Sequence, residues 1–206
     1  MSDRPSTAGY AEEADKLSET YESLTFEKVH RRGLPFVPAA PSAVLDIGAG
    51  TGRDAAALAR LGHRVTAAEP TAEMRAHGKR LHADVAIEWV DDILPDLRQV
   101  FALHRRFDLV LMTAVWMHLD ARERRIAMAN VADLMAPTAA LLMTLRHGPV
   151  PEGRRMFEVS AEETRDLGRR HCLASVHEGT GTDALRRDGV HWTYLAFRRT
   201  GSPASR

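Results

Sequence analysis

The 206-residue chain is 44% hydrophobic, enough to bury one full core without a second domain. Basic and acidic residues stand at 28 each, so no net charge draws the chain as a whole toward nucleic acid or anionic lipid. Its single cysteine, Cys172, excludes an internal disulfide, and no Cys/His grouping has the spacing of a zinc site, so no metal is expected. The start lacks the shape of a signal peptide and no apolar run reaches the length of a membrane span, which makes a soluble, cytoplasmic protein the expectation.

Residues 10–31 have helical composition, with Leu17, Tyr21 and Leu24 at i, i+4 and i+7 on one face. Gly33, Pro35, Pro38 and Pro41 then read as a stiff linker. From there apolar runs and helical patterns alternate. Strands are predicted at 44–47, 64–69, 85–90, 107–115 and 139–145. Helices are predicted at 54–61, 72–80 (Thr71 as N-cap), 121–135 (Asp120 and Glu123 as a capping box, Pro137 as the stop) and 161–170 (Ser160 and Glu163 as a second box). Two last strands, 173–178 and 191–198, flank a glycine-bearing arm, and 201–206 reads as a disordered tail. Strands alternating with helices define an α/β fold built on a mostly parallel sheet.

The first strand breaks into Gly48-Ala49-Gly50-Thr51-Gly52, a loop whose glycines admit a ligand and whose N–H groups lead into a helix. The dinucleotide fingerprint would need glycine where Arg53 stands. Nineteen residues past Gly50, at the end of the second strand, Glu69 is placed to accept hydrogen bonds from both hydroxyls of a ribose. A ribose acceptor without a pyrophosphate loop points to a nucleoside.

On these residues, Leu45-Asp46-Ile47-Gly48-Ala49-Gly50-Thr51-Gly52 with Glu69 and the strand after Phe107, the chain resembles the class I S-adenosylmethionine-dependent methyltransferases over roughly residues 40–200. The resemblance implies a Rossmann-like, doubly wound, mostly parallel seven-stranded sheet with its last strand antiparallel. Residues 1–40 would be a helical lid and linker and residues 41–200 the cofactor-binding domain. It implies S-adenosyl-L-methionine as cofactor, S-adenosyl-L-homocysteine as product, and Asp46, Gly48, Ala49, Gly50, Glu69, Pro70 and Thr113 around it. Met74 would pack on the adenine, and Asp92 with the Ile93 N–H would read its edge. Tyr21 and the His30-Arg31-Arg32 group would touch the methionine end.

Methyl transfer from a sulfonium is an in-line displacement, in which holding the reactants collinear and dry can lower the barrier by roughly 7–11 kcal/mol. A hydroxyl or protonated amine acceptor also needs a base, and His118 and His147 are the histidines expected at the active edge. Trp116 is a candidate to stack on a flat acceptor, Arg146 to pair with an acidic one, and Arg186 or Arg187 to border it. The leading expectation is a small-molecule O- or N-methyltransferase that uses neither nucleic acid nor membrane. The alternatives are an RNA or protein methyltransferase, a nucleoside-binding protein without turnover, and a nicotinamide oxidoreductase, which Arg53 disfavours.

Overall fold

In the computed structural model, residues 5–200 are described. The tail 201–206 lies outside the described residues. Those described form a seven-stranded sheet in the order β3-β2-β1-β4-β5-β7-β6. Strands β1 (Ala43–Ile47), β2 (Arg64–Ala68), β3 (Ile87–Val90), β4 (Phe107–Thr113) and β5 (Met135–His147) run parallel. Strand β7 (His191–Arg199) is antiparallel to both β5 and β6 (Leu173–Thr182). This is the Rossmann-like doubly wound arrangement expected from the sequence. The order reverses between β1 and β4, and the crevice at their carboxyl ends is where open α/β sheets bind ligands.

Alternation along β4 shows why the sheet needs cover on both faces. Leu109 and Leu111 pack with Val44, Ala55 and Leu58, the last two on α3 (Arg53–Arg60). Val110 and Met112 face the other way, into Ala127, Met128 and Val131 of α6 (Ala121–Leu134). At the start of α6 the Asp120 carboxylate accepts from the Arg122 and Glu123 N–H groups, and Glu123 accepts from the Asp120 N–H, completing the predicted capping box. The second box is only half formed: Ser160 Oγ accepts from the Glu163 N–H at the start of α7 (Ala161–Arg170), but the Glu163 carboxylate is taken by Arg124.

Two boundaries and one cap differ from the expectation for identifiable reasons. The helical stretch 10–31 is two helices, α1 (Ala14–Glu22) and α2 (Phe26–His30), because the Thr25 side chain accepts from the Lys28 N–H and starts a second helix. Strand β5 begins directly where α6 ends, so Pro137 lies inside the strand rather than after the helix. Ahead of α4 (Ala72–Leu81), Thr71 sits at the N-cap position, but its side chain makes no cap; its N–H instead donates to Glu69. Among the described residues no helix is long and apolar enough to cross a membrane, and no grouping of His, Cys, Asp and Glu could hold a metal.

Candidate active site

The crevice opens into a cavity of about 440 Å³, within the range of small-ligand sites. Its floor is the glycine loop after β1. The Gly48 and Ala49 N–H groups donate to the Ala68 carbonyl at 2.8 and 3.2 Å, which pins the loop to the end of β2. Gly48 has φ +69, and a Cβ there would stand 2.5 Å from Val115 Cγ2, so both backbone and space require glycine. At Gly50 the space opens toward Tyr21 and Met74, both cavity-lining.

Glu69 is buried at the same end. Its Oε2 accepts from the Gly50 N–H and its Oε1 from the Thr71 N–H, both at 2.8 Å, which fixes the carboxylate at the cavity wall. Burial pushes this carboxyl up despite the two backbone donors. One strand further out, the Asp92 carboxylate accepts from the Ile93 N–H at 2.9 Å and the Val100 N–H at 2.8 Å, so it also holds the first turns toward α5 (Arg98–Ala102). Pro70, Asp92 and Ile93 all line the cavity.

Between these groups and the N-terminal helices lies a buried ionic knot. Asp54, in the first turn of α3, takes His30 Nε2 at 2.6 Å, the Thr113 hydroxyl at 3.0 Å and Arg53 Nε at 2.7 Å. Burial pushes the Asp54 carboxyl up, but His30 and Arg53 outweigh it and hold it well below the usual carboxylate range. His30 therefore ties α2 to α3, and it does not line the cavity. Nor do Arg31 and Arg32; the Arg32 Nη2 donates to the Thr180 carbonyl instead. Asp46, beside this knot, lines the cavity with its Oδ2 buried and unpartnered, and burial together with the Asp54 charge pushes its carboxyl well up.

At the opposite end the side chains come from distant segments. His118 lines the cavity, and its Nδ1 lies 2.8 Å from the Arg155 carbonyl. A carbonyl only accepts, so Nδ1 carries the proton. Burial lowers the His118 pKa and keeps the ring neutral, so Nε2 is an acceptor, and it takes the Tyr10 O–H at 3.0 Å. The Arg154 guanidinium lies 4.3 Å from the Tyr10 ring centre. At the end of β4, Ala114 holds φ +59 while its N–H donates to Thr144 Oγ1 at 2.8 Å, a backbone strain at the cavity wall.

Two expectations for this end are corrected. Trp116 is fully buried in the core, its indole N–H donating to Thr164 Oγ1 at 3.2 Å, because the short 3₁₀ turn Trp116–His118 rolls it under the sheet; it does not line the cavity. His147 is also off the cavity. Successive strand residues face opposite sides, so Arg146 points into the crevice while His147 stacks on His191 and meets Thr193 Oγ1 at 2.9 Å. Of the arm arginines, Arg187 borders the cavity and Arg186 does not. Sequence reading missed Tyr10, Arg154, Asp183, Trp192 and Tyr194, all lining residues.

Residues 44–138 match the family model described as a methyltransferase domain. Three solved structures share the fold. Magnesium protoporphyrin IX methyltransferase from Synechocystis PCC 6803, with bound SAM, matches at TM-score 0.67 and 13% identity over 93% of this chain and 85% of that one. The N-methyltransferase NodS from Bradyrhizobium japonicum WM9, with S-adenosyl-L-homocysteine, gives 0.67 and 18% over 92% and 97%. The 1,6-didemethyltoxoflavin-N1-methyltransferase of Burkholderia thailandensis, with its acceptor and S-adenosylhomocysteine, gives 0.62 and 22% over 92% and 90%. No curated protein matches. The family match thus covers a little under half of the chain, and the fold around it is the one these three methyltransferase structures share.

Proposed function

We propose that the protein transfers the methyl group of S-adenosylmethionine to an oxygen or nitrogen of a small-molecule acceptor. The observation that carries this is the Glu69 carboxylate, fixed at the wall of one continuous cavity by two backbone donors, with a separate set of polar and aromatic side chains at the far end. The residues present fit the cofactor. The carboxylate can accept from a ribose diol, the Met74 side chain offers an apolar surface to a flat base, and the buried, unpartnered Asp46 Oδ2 faces the cavity where a polar group would satisfy it. Asp92 and the backbone at Ile93 are proposed to read the base edge, and Gly48, Ala49, Gly50, Pro70, Thr113 and Tyr21 to enclose the remainder. Bound there, S-adenosylmethionine supplies a methyl carbon activated by its sulfonium.

The chain's own contribution is orientation and a path for one proton. Residues 6–40, whose Tyr10, Leu17, Tyr21 and Leu24 line the cavity, act as the lid that keeps water out. His118 does not present a bare lone pair to the acceptor, because Tyr10 occupies it. In this reading the acceptor's proton passes to the Tyr10 oxygen as Tyr10 gives its own proton to His118 Nε2. The structural neighbours include methyltransferases named for magnesium protoporphyrin IX and for 1,6-didemethyltoxoflavin, which supports an acceptor of that size class. Incubating the protein with methyl-labelled S-adenosylmethionine and separated RNA, protein and small-molecule fractions tests the reading. Label should enter the small-molecule fraction; label entering RNA or protein instead would refute it.

A further inference from the structure

We infer that the methyl acceptor is an anion, a planar carboxylate or its equivalent, docked on Arg146. The proposal rests on the methyltransferase reading above and names the substrate class of that same site. Four arginines among the described residues line the cavity: Arg53, Arg146, Arg154 and Arg187. Three have their charge answered within the protein. Arg53 Nε donates to Asp54 at 2.7 Å, Arg154 Nη2 to Glu13 at 2.5 Å, and Arg187 holds Asp183 through Nε at 2.9 Å and Nη2 at 2.8 Å.

Arg146 differs from all three. It is buried to 8% exposure, yet among the described residues no carboxylate lies within ion-pair distance of it. Its Nε is buried with no hydrogen-bond partner, and its Nη1 finds only the Met156 sulfur at 3.9 Å. Burial first and then the neighbouring Arg187 act against the charged form of Arg146 and outweigh Asp183, which is itself taken by Arg187. A buried guanidinium with vacant donors is costly to leave unpaired, and its planar fork matches a carboxylate bidentately. Tyr10, Trp192 and Tyr194 line the same end, which suits a flat ring bearing the anion.

The cofactor has a carboxylate of its own, and position in the sheet separates the two sources. Glu69 follows β2 and Arg146 is the last residue but one of β5, three strands away in the order β2-β1-β4-β5, roughly 14 Å at ordinary strand spacing. A nucleoside gripped at β2 and read at β3 brings its amino-acid end to β1 and β4, leaving Arg146 on the acceptor side.

The test titrates benzoate, 4-hydroxybenzoate and indole-3-carboxylate, each beside its carboxamide, into protein saturated with S-adenosylhomocysteine, for the wild type and Arg146→Gln. In the wild type at least one carboxylate should bind at least tenfold more tightly than its amide. Arg146→Gln should abolish that preference while Arg146→Lys keeps part of it, and S-adenosylhomocysteine should bind Arg146→Gln within twofold of wild type, which also shows that the variant folds. No preference for any carboxylate, or a preference that survives in Arg146→Gln, would overturn the proposal. So would an Arg146→Gln that loses S-adenosylhomocysteine but retains 5′-methylthioadenosine, which lacks the carboxylate; Arg146 would then serve the cofactor. A wild type that fails to bind S-adenosylhomocysteine at all would remove the underlying reading, and is read out separately from the carboxylate preference.

Discussion

The two ends of the cavity are built by different means. At the β2–β3 end every functional carboxylate is held by backbone within its own neighbourhood: Glu69 by Gly50 and Thr71, Asp92 by Ile93 and Val100. At the β4–β5 end the groups come from across the chain, Tyr10 meeting His118 over 108 residues and Arg154 reaching Glu13 over 141. Backbone-held groups are rigid before any ligand arrives, and this suits an invariant part of a ligand. Side chains assembled from the N-terminal segment, a strand end and an arm can differ without disturbing the fold, and this suits a variable acceptor.

The knot at Asp54 joins the two ends, so breaking it should have the largest effect. Asp54→Asn removes the partner of both His30 and Arg53 and is expected to cost about 3–5 kcal/mol, roughly 6–20 °C in melting temperature, by calorimetry. Next comes Gly48→Ala, where the new Cβ collides with Val115 and the backbone is left-handed; cofactor affinity should fall about tenfold or more in a titration. On the acceptor side, Tyr10→Phe breaks the proton path but leaves the ring in place. Turnover should drop on the order of a hundredfold while S-adenosylhomocysteine affinity holds.

The smallest effect is that of pH, which acts with one sign but in a different window in each of the two regions. Asp54 has a folded pKa below its unfolded value, so its contribution is present above about pH 4 and is lost as pH falls further. His118 is also depressed in the fold, so the unfolded chain takes up its proton first and stability slips as pH drops below about 6.5. Melting curves from about pH 8 to about pH 2 should therefore decline in two stages, and Asp54→Asn should remove only the lower one.

How far each end was readable from sequence follows from the same contrast. Residues 48–51 of the glycine loop, Glu69 and Asp92 stand just past the ends of β1, β2 and β3, and Met74 in the helix after Glu69, at short local spacings, and all line the cavity. Long-range partners leave no such trace: nothing near Tyr10 indicates His118, and nothing near His30 indicates Asp54. Trp116 and His147 were expected at the active edge because they follow or end strands, and local geometry turned both aside, one by a 3₁₀ turn and one by strand alternation. Alternation was available from sequence for the second, since Arg146 and His147 cannot face the same side.

The account as a whole depends on a nucleoside gripped by Glu69, and titration calorimetry with S-adenosylhomocysteine tests that directly. Two charged hydrogen bonds to a ribose are each worth about 1.5–3 kcal/mol, so Glu69→Ala should bind at least about a hundredfold more weakly than wild type, with Glu69→Gln in between. Equal affinities for the wild type and a folded Glu69→Ala would contradict the account.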